Sequence, residues 1–411
     1  MAMSIVTAAS GARDSYQIPI ALYEAGLLAQ HVTDFYTPDL LSGRLKLFPH
    51  VLSSKLAKRH VESLPSSKVH NSRLLASRQL LQRLVPPLRG RWQGDQESIG
   101  LSALRQAKRH QAALLMYAGY AYSAFKAEAY NARPRGLVQY HPHVRECADI
   151  LRADIRRYPC LSESLDQIER DMLDQTNLPE LEISNQIICA SSFTAKTCVS
   201  LGISPGKVKI IPYGSPFVSL PPSGVDRLKS GPCSFLFVGS GIHRKGLHHL
   251  LLAWKHAKLS GSRLTIVSRR IDPQIRLNFD PGDNVSWLSS VNDSDLPAIY
   301  EASDVFVMPS LVEGFGYVYL EAMAHGCFCI GSPNTALPDL LTQSTGAGCI
   351  VPAAEPLLLA VALQDVEASA LAGRLDRQTI ALQASRFTWE SFRMEIANVG
   401  RDLVGLASTE A

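Results

Sequence analysis

Short runs of apolar residues alternate along this chain with longer segments in which apolar residues recur at helical spacing. The short runs predict strands at 4–8, 31–35, 136–140, 187–190, 208–212, 234–238, 264–267, 285–288, 305–308, 327–331 and 349–351. The segments between them predict helices at 16–28, 106–126, 162–176, 247–259, 295–302, 317–325 and 357–370. Such alternation is typical of parallel sheets with crossover helices, so we predict an α/β fold.

The pattern occurs twice, on either side of a stretch rich in proline, glycine and serine at 215–232. This composition is typical of a linker, and 411 residues exceed the usual length of one domain. We therefore predict two doubly wound, Rossmann-like domains that face a cleft. They span 1–215 and 233–386, with a linker at 216–232, and a terminal helix at 387–411 is expected to cross back to the first domain.

The composition is that of a globular protein, with 46% hydrophobic and 19% charged residues, which excludes a disordered or fibrous chain. The eight cysteines include no C-x-x-C pair and lie mostly in apolar runs, which favours buried thiols in a reducing compartment. No apolar run approaches the length of a membrane span, and the N-terminus lacks the features of a secretory signal. We therefore expect a cytoplasmic protein.

Positive charge is concentrated at 41–110, which holds 14 Lys and Arg residues against three acidic residues. Basic and apolar residues recur there at helical spacing, which predicts amphipathic helices with a cationic face. Two interpretations stay open. The face is either a solvated surface or a site of attraction to a phosphorylated acceptor or to anionic lipid, as a peripheral contact on the inner face of the membrane. Nucleic acid is disfavoured, because the sequence lacks the aromatic platforms that usually accompany basic patches.

A glycine-rich loop, F-V-G-S-G-I-H-R-K-G, lies between a predicted strand and a predicted helix at 237–246. Gly239 and Ser240 begin this loop, whose backbone could approach a ligand at the N-terminus of the helix. Arg244 and Lys245 add positive charge where a diphosphate could lie. A plain turn with both cations in solvent is the alternative. The spacing matches neither the dinucleotide motif nor the P-loop, which disfavours a dehydrogenase or a P-loop NTPase.

Two glutamates eight residues apart, Glu313 and Glu321, lie in the segment M-P-S-L-V-E-G-F-G-Y-V-Y-L-E-A-M-A-H-G at 308–326. Glu313 is predicted to lie in a loop after a buried strand, where α/β sheets place ligands, and Glu321 in the helix that follows. One carboxylate could accept hydrogen bonds from a hexose and the other from a ribose. The competing interpretation is an exposed helical glutamate and a charge that favours the helix dipole.

These motifs resemble those of the retaining glycosyltransferases of family 4, which have the GT-B fold. The resemblance runs from about residue 185 to the C-terminus and is weak over 1–180. It includes the E-x7-E pair, the 237–246 loop and the segments C-A-S-S-F-T at 189–194, I-P-Y-G at 211–214, A-S-D-V at 302–305, A-L-P-D at 336–339, T-G at 345–346 and F-T-W-E at 387–390. It implies that the first domain recognises the acceptor and the second binds the nucleotide sugar.

The resemblance also implies roles for individual residues. Lys245 is similar to the lysine that holds the donor diphosphate, and Glu321 to the glutamate that binds the ribose. Glu313 is similar to the residue that holds the donor sugar, helped by the backbone amides of Gly314, Phe315 and Gly316. We therefore expect Lys245 and Glu313 to act in catalysis, together with Arg244.

Two positions depart from the family pattern. The family usually has arginine where Ser240 stands, and Arg244 is the residue that could supply the missing phosphate contact. The family often has paired glycines in the first N-terminal loop, where this chain has Gly11 alone. Gly11, Gly239 and Ser240 are nevertheless expected to contribute to donor binding.

Two histidines, His141 and His143, follow a predicted strand of the first domain. The family often has a histidine near this point, so both are candidates for the sugar pocket. Asp293 and Asp295 have the spacing of a metal-binding D-x-D motif, but they are predicted to cap the next helix. The resemblance implies that positive side chains and helix dipoles neutralise the diphosphate, so we expect neither a metal nor another cofactor.

The predicted function is transfer of a hexose, with retention, from a UDP- or GDP-linked sugar. The acceptor would be a glycan or a lipid-linked molecule, as in the synthesis of surface polysaccharides or glycoconjugates. Two alternatives stay open. One is a nucleotide-sugar epimerase of the GT-B fold, which needs no acceptor. The other is a catalytically silent subunit that binds the nucleotide sugar, an alternative suggested by Ser240.

Overall fold

Two parallel β-sheets form the framework of the protein in a computed structural model. The structure describes residues 3–39, 56–72, 95–127, 133–163, 179–215, 231–259, 261–289, 291–341 and 346–409, and also the single residues 165, 169, 170 and 173. Within these residues the first sheet contains β1 Ile5–Ala8, β2 Leu28–Thr33, β3 Val69–Asn71, β4 Ala113–Tyr117, β5 Arg135–Gln139, β6 Gln186–Cys189 and β7 Val208–Ile210. The second contains β8 Ser234–Val238, β9 Arg263–Val267, β10 Val285–Leu288, β11 Val305–Met308, β12 Phe328–Gly331 and β13 Gly348–Ile350. The strand pairings in both sheets are parallel, and the predicted α/β fold with two Rossmann-like domains is confirmed.

The strand order reverses beside the first strand of each sheet. The first sheet has the order β3-β2-β1-β4-β5-β6-β7, and the second has the order β10-β9-β8-β11-β12-β13. Sheets of this kind bind ligands outside the carboxyl ends of their strands at the point of reversal. The loops that follow β1, β4, β8 and β11 are therefore the places where this fold positions a site.

The sheets are buried because their central strands are continuous apolar runs. Every residue of β1, β4 and β11 is buried. All eight cysteines are free thiols, and six of them are buried. The sheets are accompanied by the helices Gln17–Glu24, Asp95–His110, Tyr122–Phe125, Val144–Arg157, Ser192–Val199, Leu247–Ala257, Pro273–Asn278, Leu296–Ala302, Tyr317–Ala324, Leu337–Leu340, Pro356–Leu371, Arg377–Ala384 and Trp389–Thr409.

The last helix, Trp389–Thr409, packs against the helix Gln17–Glu24 of the first domain. Arg393 donates hydrogen bonds to Glu24 and to Gln17, both at 2.9 Å. This helix therefore lies against the domain that contains β1. Among the described residues, no helix has both the length and the apolar character that crossing a bilayer requires.

The structure corrects several predictions of individual elements. The helix predicted at 106–126 is wrong, because the helix Asp95–His110 ends before Gln111, whose φ of 50° is left-handed, and β4 follows. The apolar run of β4 is buried on both faces, and periodicity alone does not separate such a strand from a buried helix. The strand predicted at 31–35 lies too late in the chain, since β2 begins at Leu28. The short edge strand β3 and the helix Val144–Arg157 were not predicted.

Three predictions fall wholly or partly outside the described residues. They concern 216–230 of the linker, 40–55 and 73–94 of the basic segment, and most of the helix predicted at 162–176. In the second sheet, by contrast, the strands predicted at 234–238, 285–288 and 305–308 have the observed bounds.

Candidate active site

Glycines shape the loop after β8 into a short cationic turn. Gly239 and Gly246 have positive φ values of 150° and 70°, a region that favours glycine. Between them the turn His243–Lys245 leads into the helix Leu247–Ala257. A Cβ on Gly246 would collide with the carbonyl oxygen of Pro309, so a glycine is required where this turn meets the loop after β11.

Backbone hydrogen bonds hold the loop after β11 against that turn. The N–H groups of Leu311 and Val312 donate to the carbonyl oxygen of Arg244 at 2.8 Å and 3.3 Å. The N–H of Glu313 donates to the carbonyl oxygen of Asn334 at 3.0 Å. The loops at the reversal point of the second sheet are therefore fixed relative to each other.

Two cations meet the carboxylate of Glu313. Lys245 Nζ contacts Glu313 Oε2, and Arg244 Nη1 lies 3.3 Å from the same oxygen. The side chains of Lys245, Arg244 and Glu313 are 14%, 9% and 9% exposed. Charges so poorly exposed to water interact more strongly than charges at the surface. The structure thus brings the three predicted catalytic residues together in one place.

The segment after Glu313 lies against the first domain. The carbonyl oxygen of Gly314 accepts a hydrogen bond from Ser191 Oγ at 2.6 Å. A Cβ on Gly314 would collide with the carbonyl oxygen of Tyr140, which follows β5. The Glu313 carboxylate and its two cations therefore lie beside the junction between the domains.

Phe315 and Gly316 pack closely against aromatic side chains. Phe315 is 3% exposed and packs edge-on against Tyr213, with ring centroids 5.2 Å apart. Gly316 has a φ of 82°, and a Cβ there would lie 2.9 Å from the ring of Tyr319. Contact of the loop's backbone amides with a donor stays a prediction, and the N–H of Gly314 donates to Glu313 Oε1 at 3.2 Å.

Glu321 is an oriented hydrogen-bond acceptor on the helix Tyr317–Ala324. The hydroxyl of Tyr300 donates to its Oε2 at 3.0 Å. Burial raises the pKa of the Glu321 carboxyl, and the hydrogen bond from Tyr300 opposes that rise. Tyr300 is itself held by stacking on His325, with ring centroids 5.4 Å apart. A carboxylate fixed in this way is suited to binding hydroxyl groups.

His141 and His143 have different surroundings. His143 is 3% exposed and occupies the N-cap of the helix Val144–Arg157, where its side chain accepts a hydrogen bond from the N–H of Arg145 at 3.3 Å. His141 has a buried Nδ1 without a hydrogen-bond partner among the described residues. Burial and the nearby charge of Arg244 lower the pKa of His141 to about 3, so its imidazole is neutral at physiological pH. A place in the sugar pocket stays a prediction for both residues.

The loop after β1 is fixed through Gly11. Its N–H donates to Asp34 Oδ1 at 2.8 Å, and Arg59 Nη1 lies 2.9 Å from the same oxygen. Gly11 has a φ of 78°. These bonds occupy the amide of Gly11, whose predicted part in donor binding stays untested.

Two residues of this first loop, Arg13 and Asp14, were missed by sequence reasoning. Asp14 has a left-handed φ of 46° and accepts hydrogen bonds from Tyr117 at 2.8 Å and from Tyr317 of the second domain at 3.1 Å. Burial raises the pKa of Asp14. The guanidinium of Arg13 lies 4.0 Å from the ring centroid of Tyr140. Their position directly after β1, at the reversal point, was the available signal.

Ser240, predicted to bind the donor, and Asp295, predicted to cap a helix, are the remaining residues that the sequence singled out. Ser240 is exposed, and its carbonyl oxygen accepts a hydrogen bond from the N–H of Ile242 at 2.9 Å. Asp295 occupies the N-cap position of the helix Leu296–Ala302 without a side-chain capping bond. Asp293 instead forms an ion pair with Arg269 at 2.7 Å.

Part of the chain is similar in sequence to known glycosyltransferases. Residues 232–368 match the family described as Glycosyl transferases group 1. The O-antigen chain mannosyltransferase B of Escherichia coli is 33% identical over 115 residues, 28% of this chain and 29% of the relative. The D-rhamnosyltransferase WbpZ of Pseudomonas aeruginosa is 32% identical over 162 residues, 36% of this chain and 41% of the relative. The matches to these curated relatives thus span less than half of their length.

Solved structures align over nearly the whole chain. The sucrose-phosphate synthase of Thermosynechococcus elongatus has a TM-score of 0.60 at 17% identity, covering 98% of this chain and 99% of that one. Anabaena HepE, solved in complex with UDP, has a TM-score of 0.58 at 16% identity, covering 97% and 99%. The fold is therefore GT-B, as predicted. Residues 232–368 of this chain are similar to the group 1 glycosyl transferases, in agreement with the resemblance noted in the sequence.

Proposed function

We propose that this protein transfers a hexose from a nucleotide diphosphate sugar to a glycan or lipid-linked acceptor, with retention at the anomeric carbon. The observation that carries the proposal is the meeting of Lys245 and Arg244 at the Glu313 carboxylate, at the reversal point of the second sheet and beside the first domain. The group 1 domain and the relatives named as sugar transferases support it.

Lys245 and Arg244 would bind the donor diphosphate. In the structure both contact Glu313, so an incoming diphosphate would compete with that carboxylate for the two cations. Glu313 would then accept hydrogen bonds from the sugar, while Glu321 binds the ribose hydroxyls. Because two cations already converge here, we propose that transfer needs no metal ion at the diphosphate.

The course of the reaction is what the resemblance to retaining glycosyltransferases implies. The acceptor oxygen attacks the anomeric carbon from the side of the leaving group, and the bond from that carbon to the phosphate oxygen breaks. The departing phosphate oxygen takes the acceptor proton. Lys245 and Arg244 stabilise the negative charge that develops on the diphosphate, which is the kind of preorganised contact that lowers a barrier most.

The donor would carry uridine or guanosine diphosphate. Anabaena HepE is described with UDP and with UDP-glucose, and another relative, from Corynebacterium glutamicum, is named as a GDP-mannose-dependent mannosyltransferase. The relative from Escherichia coli is named for O-antigen synthesis. We therefore propose a role in surface polysaccharide or glycoconjugate synthesis in the cytoplasm, with the segment 41–110 as a peripheral contact on the membrane.

A panel of UDP- and GDP-linked sugars tests the proposal. The donor should raise the melting temperature, because a ligand of the native state stabilises it. Nucleotide should then be released only when an acceptor extract is added. Isomerisation of the donor without an acceptor would indicate an epimerase instead. Tight donor binding without turnover under any condition would indicate a silent subunit, the alternative suggested by Ser240 at a position where the family usually has arginine.

A further inference from the structure

Three histidines surround one carboxylate at the junction between the domains. His248 and His249 belong to the helix Leu247–Ala257 of the second domain, and Asp154 belongs to the helix Val144–Arg157 of the first. His248 Nε2 lies 2.8 Å from Asp154 Oδ2, and His249 Nε2 lies 2.8 Å from Asp154 Oδ1. His243 Nε2 lies 2.9 Å from Asp154 Oδ2.

The cluster is sealed from solvent. Asp154 is 2% exposed, and His243, His248 and His249 are at most 1% exposed. A second carboxylate, Glu169, is buried beside them, with its Oε1 3.9 Å from His243 Nδ1. Buried charged groups in proteins are paired or bind a metal ion, and here three imidazoles lie beside two buried carboxylates.

The imidazoles are oriented through one nitrogen only. The Nδ1 atoms of His243, His248 and His249 are buried and have no hydrogen-bond partner among the described residues. Each ring therefore directs its Nε2 at the carboxylate, and imidazole nitrogen with carboxylate oxygen is a donor set that suits Zn²⁺.

We propose that Asp154, His248 and His249 bind a divalent transition-metal ion of the Zn²⁺ type. Their ligand atoms lie within 4.8 Å of one another. Metal–ligand distances of about 2.0–2.1 Å place tetrahedral ligands about 3.3 Å apart, so the nitrogens and oxygens now at 2.8 Å need to separate by about 0.5 Å. His243 donates to the ligand carboxylate from outside this set and positions it.

Such an ion would join the domains behind the candidate active site. Its ligands come from the helices Val144–Arg157 and Leu247–Ala257, and His243 adjoins Arg244 and Lys245 in the same turn. The ion would fix the turn from which these cations reach Glu313. It is a structural site, separate from the diphosphate, so it is compatible with transfer that uses no metal at the donor.

Metal content tests the proposal on the full-length protein after removal of any affinity tag. The protein is stripped with a chelator, incubated with Zn²⁺ and desalted, and bound metal is measured by mass spectrometry. We expect about one equivalent of Zn²⁺ per chain and a Zn²⁺-dependent rise in melting temperature. Wild-type protein that retains no Zn²⁺ overturns the proposal, whatever the variants do.

Variants on the same helix locate the ion. The double substitution H248Q/H249Q should abolish Zn²⁺ retention, and Asp154→Asn should do so while keeping the shape of the side chain. His256→Gln, at an exposed position of the same helix, should bind Zn²⁺ like wild type. His243→Gln should weaken Zn²⁺ binding by about 10- to 100-fold, as expected for a positioning residue. Equal Zn²⁺ retention in H248Q/H249Q and His256→Gln would place the metal elsewhere and overturn the assignment.

Discussion

Removing the ammonium group of Lys245 should slow turnover far more than it weakens the fold. The Lys245 side chain is 14% exposed and shares Glu313 Oε2 with Arg244. Loss of one preorganised contact to a developing negative charge typically raises a barrier by about 2.7–4 kcal/mol. We therefore expect Lys245→Ala to lower kcat by about 100- to 1000-fold.

The effect on folding should be smaller because Glu313 keeps a partner. Breaking a buried ion pair outright lowers the free energy of unfolding by about 3–5 kcal/mol. In Lys245→Ala, however, Glu313 keeps Arg244, whose Nη1 lies 3.3 Å from Glu313 Oε2 in the wild-type structure. The free energy of unfolding should consequently fall by less than that range. Urea unfolding at one pH measures this loss independently of turnover.

Two variants serve as controls for the turnover measurement. Lys255→Ala removes the same group from the helix Leu247–Ala257 that follows the turn, at a position where the side chain is 56% exposed, and should leave kcat unchanged. Lys245→Arg keeps the charge and should recover part of the rate. Nucleotide release at saturating donor and acceptor provides kcat. A rate for Lys245→Ala within about threefold of wild type, less than about 0.7 kcal/mol in the barrier, would refute the role of Lys245 at the diphosphate.

Three further outcomes are expected. Glu321→Ala should raise the Kd of the nucleotide by about 10- to 100-fold, since a hydrogen bond to a charged group contributes about 1.5–3 kcal/mol, whereas Glu313→Ala should chiefly lower kcat. Calorimetric titration measures the Kd and initial rates measure kcat, and an unchanged Kd in Glu321→Ala would contradict the ribose contact. Burial lowers the pKa of His31 to about 4, below its ordinary value of 6.5, so the stability that its neutral form provides is complete above pH 6.5 and falls by roughly 3 kcal/mol as the pH drops toward 4. In urea unfolding, the free energy of unfolding should therefore fall less with acid in His31→Asn than in wild type, and an equal fall in both would contradict this role of His31. If the basic segment 41–110 docks on lipid, vesicle binding should rise with anionic lipid content and fall with salt, because charges are screened within about 8 Å. It should disappear on charge reversal at Lys55, Lys58, Arg78 and Arg83. Co-sedimentation that is insensitive to salt and to these reversals would show that the segment is only a solvated surface.

Arg59 is left out of the charge reversals for a structural reason. Its Nη1 lies 2.9 Å from Asp34, which also accepts the N–H of Gly11 at 2.8 Å. Reversing Arg59 would place two negative charges at that loop and disturb the first domain. Lys58 is a better choice, because its side chain is 78% exposed and its ion pair with Asp293 is a long one, at 3.7 Å.

The second domain was predictable because its apolar runs are short and bounded by turn residues. The run Val305–Met308 ends at Pro309, and Ser234–Val238 ends at Gly239, so each strand could be delimited in the sequence. The first domain was less predictable from its sequence. Its strand Ala113–Tyr117 is a buried apolar run that periodicity alone does not distinguish from a helix, and only Gln111 and Ala112 separate it from the helix before it.

The site was predictable where its residues share a loop and unpredictable where they meet through the fold. The E-x7-E spacing placed Glu313 in a loop and Glu321 on a helix, but the contact of Glu313 with Lys245 joins residues 68 positions apart. Asp154 and His249 are 95 positions apart and lie in different domains, so neither stands out in the sequence. Long-range contacts of this kind depend on sheet topology rather than on local pattern.

The anomeric configuration of the product tests the central claim most directly. The donor that raises the melting temperature most is incubated with the protein and an acceptor, and the new glycosidic bond is examined by proton NMR. We expect nucleotide release that depends on the acceptor, and a product with the anomeric configuration of the donor. A product of inverted configuration, or the absence of any acceptor-dependent product across the donor panel, would contradict a retaining glycosyltransferase.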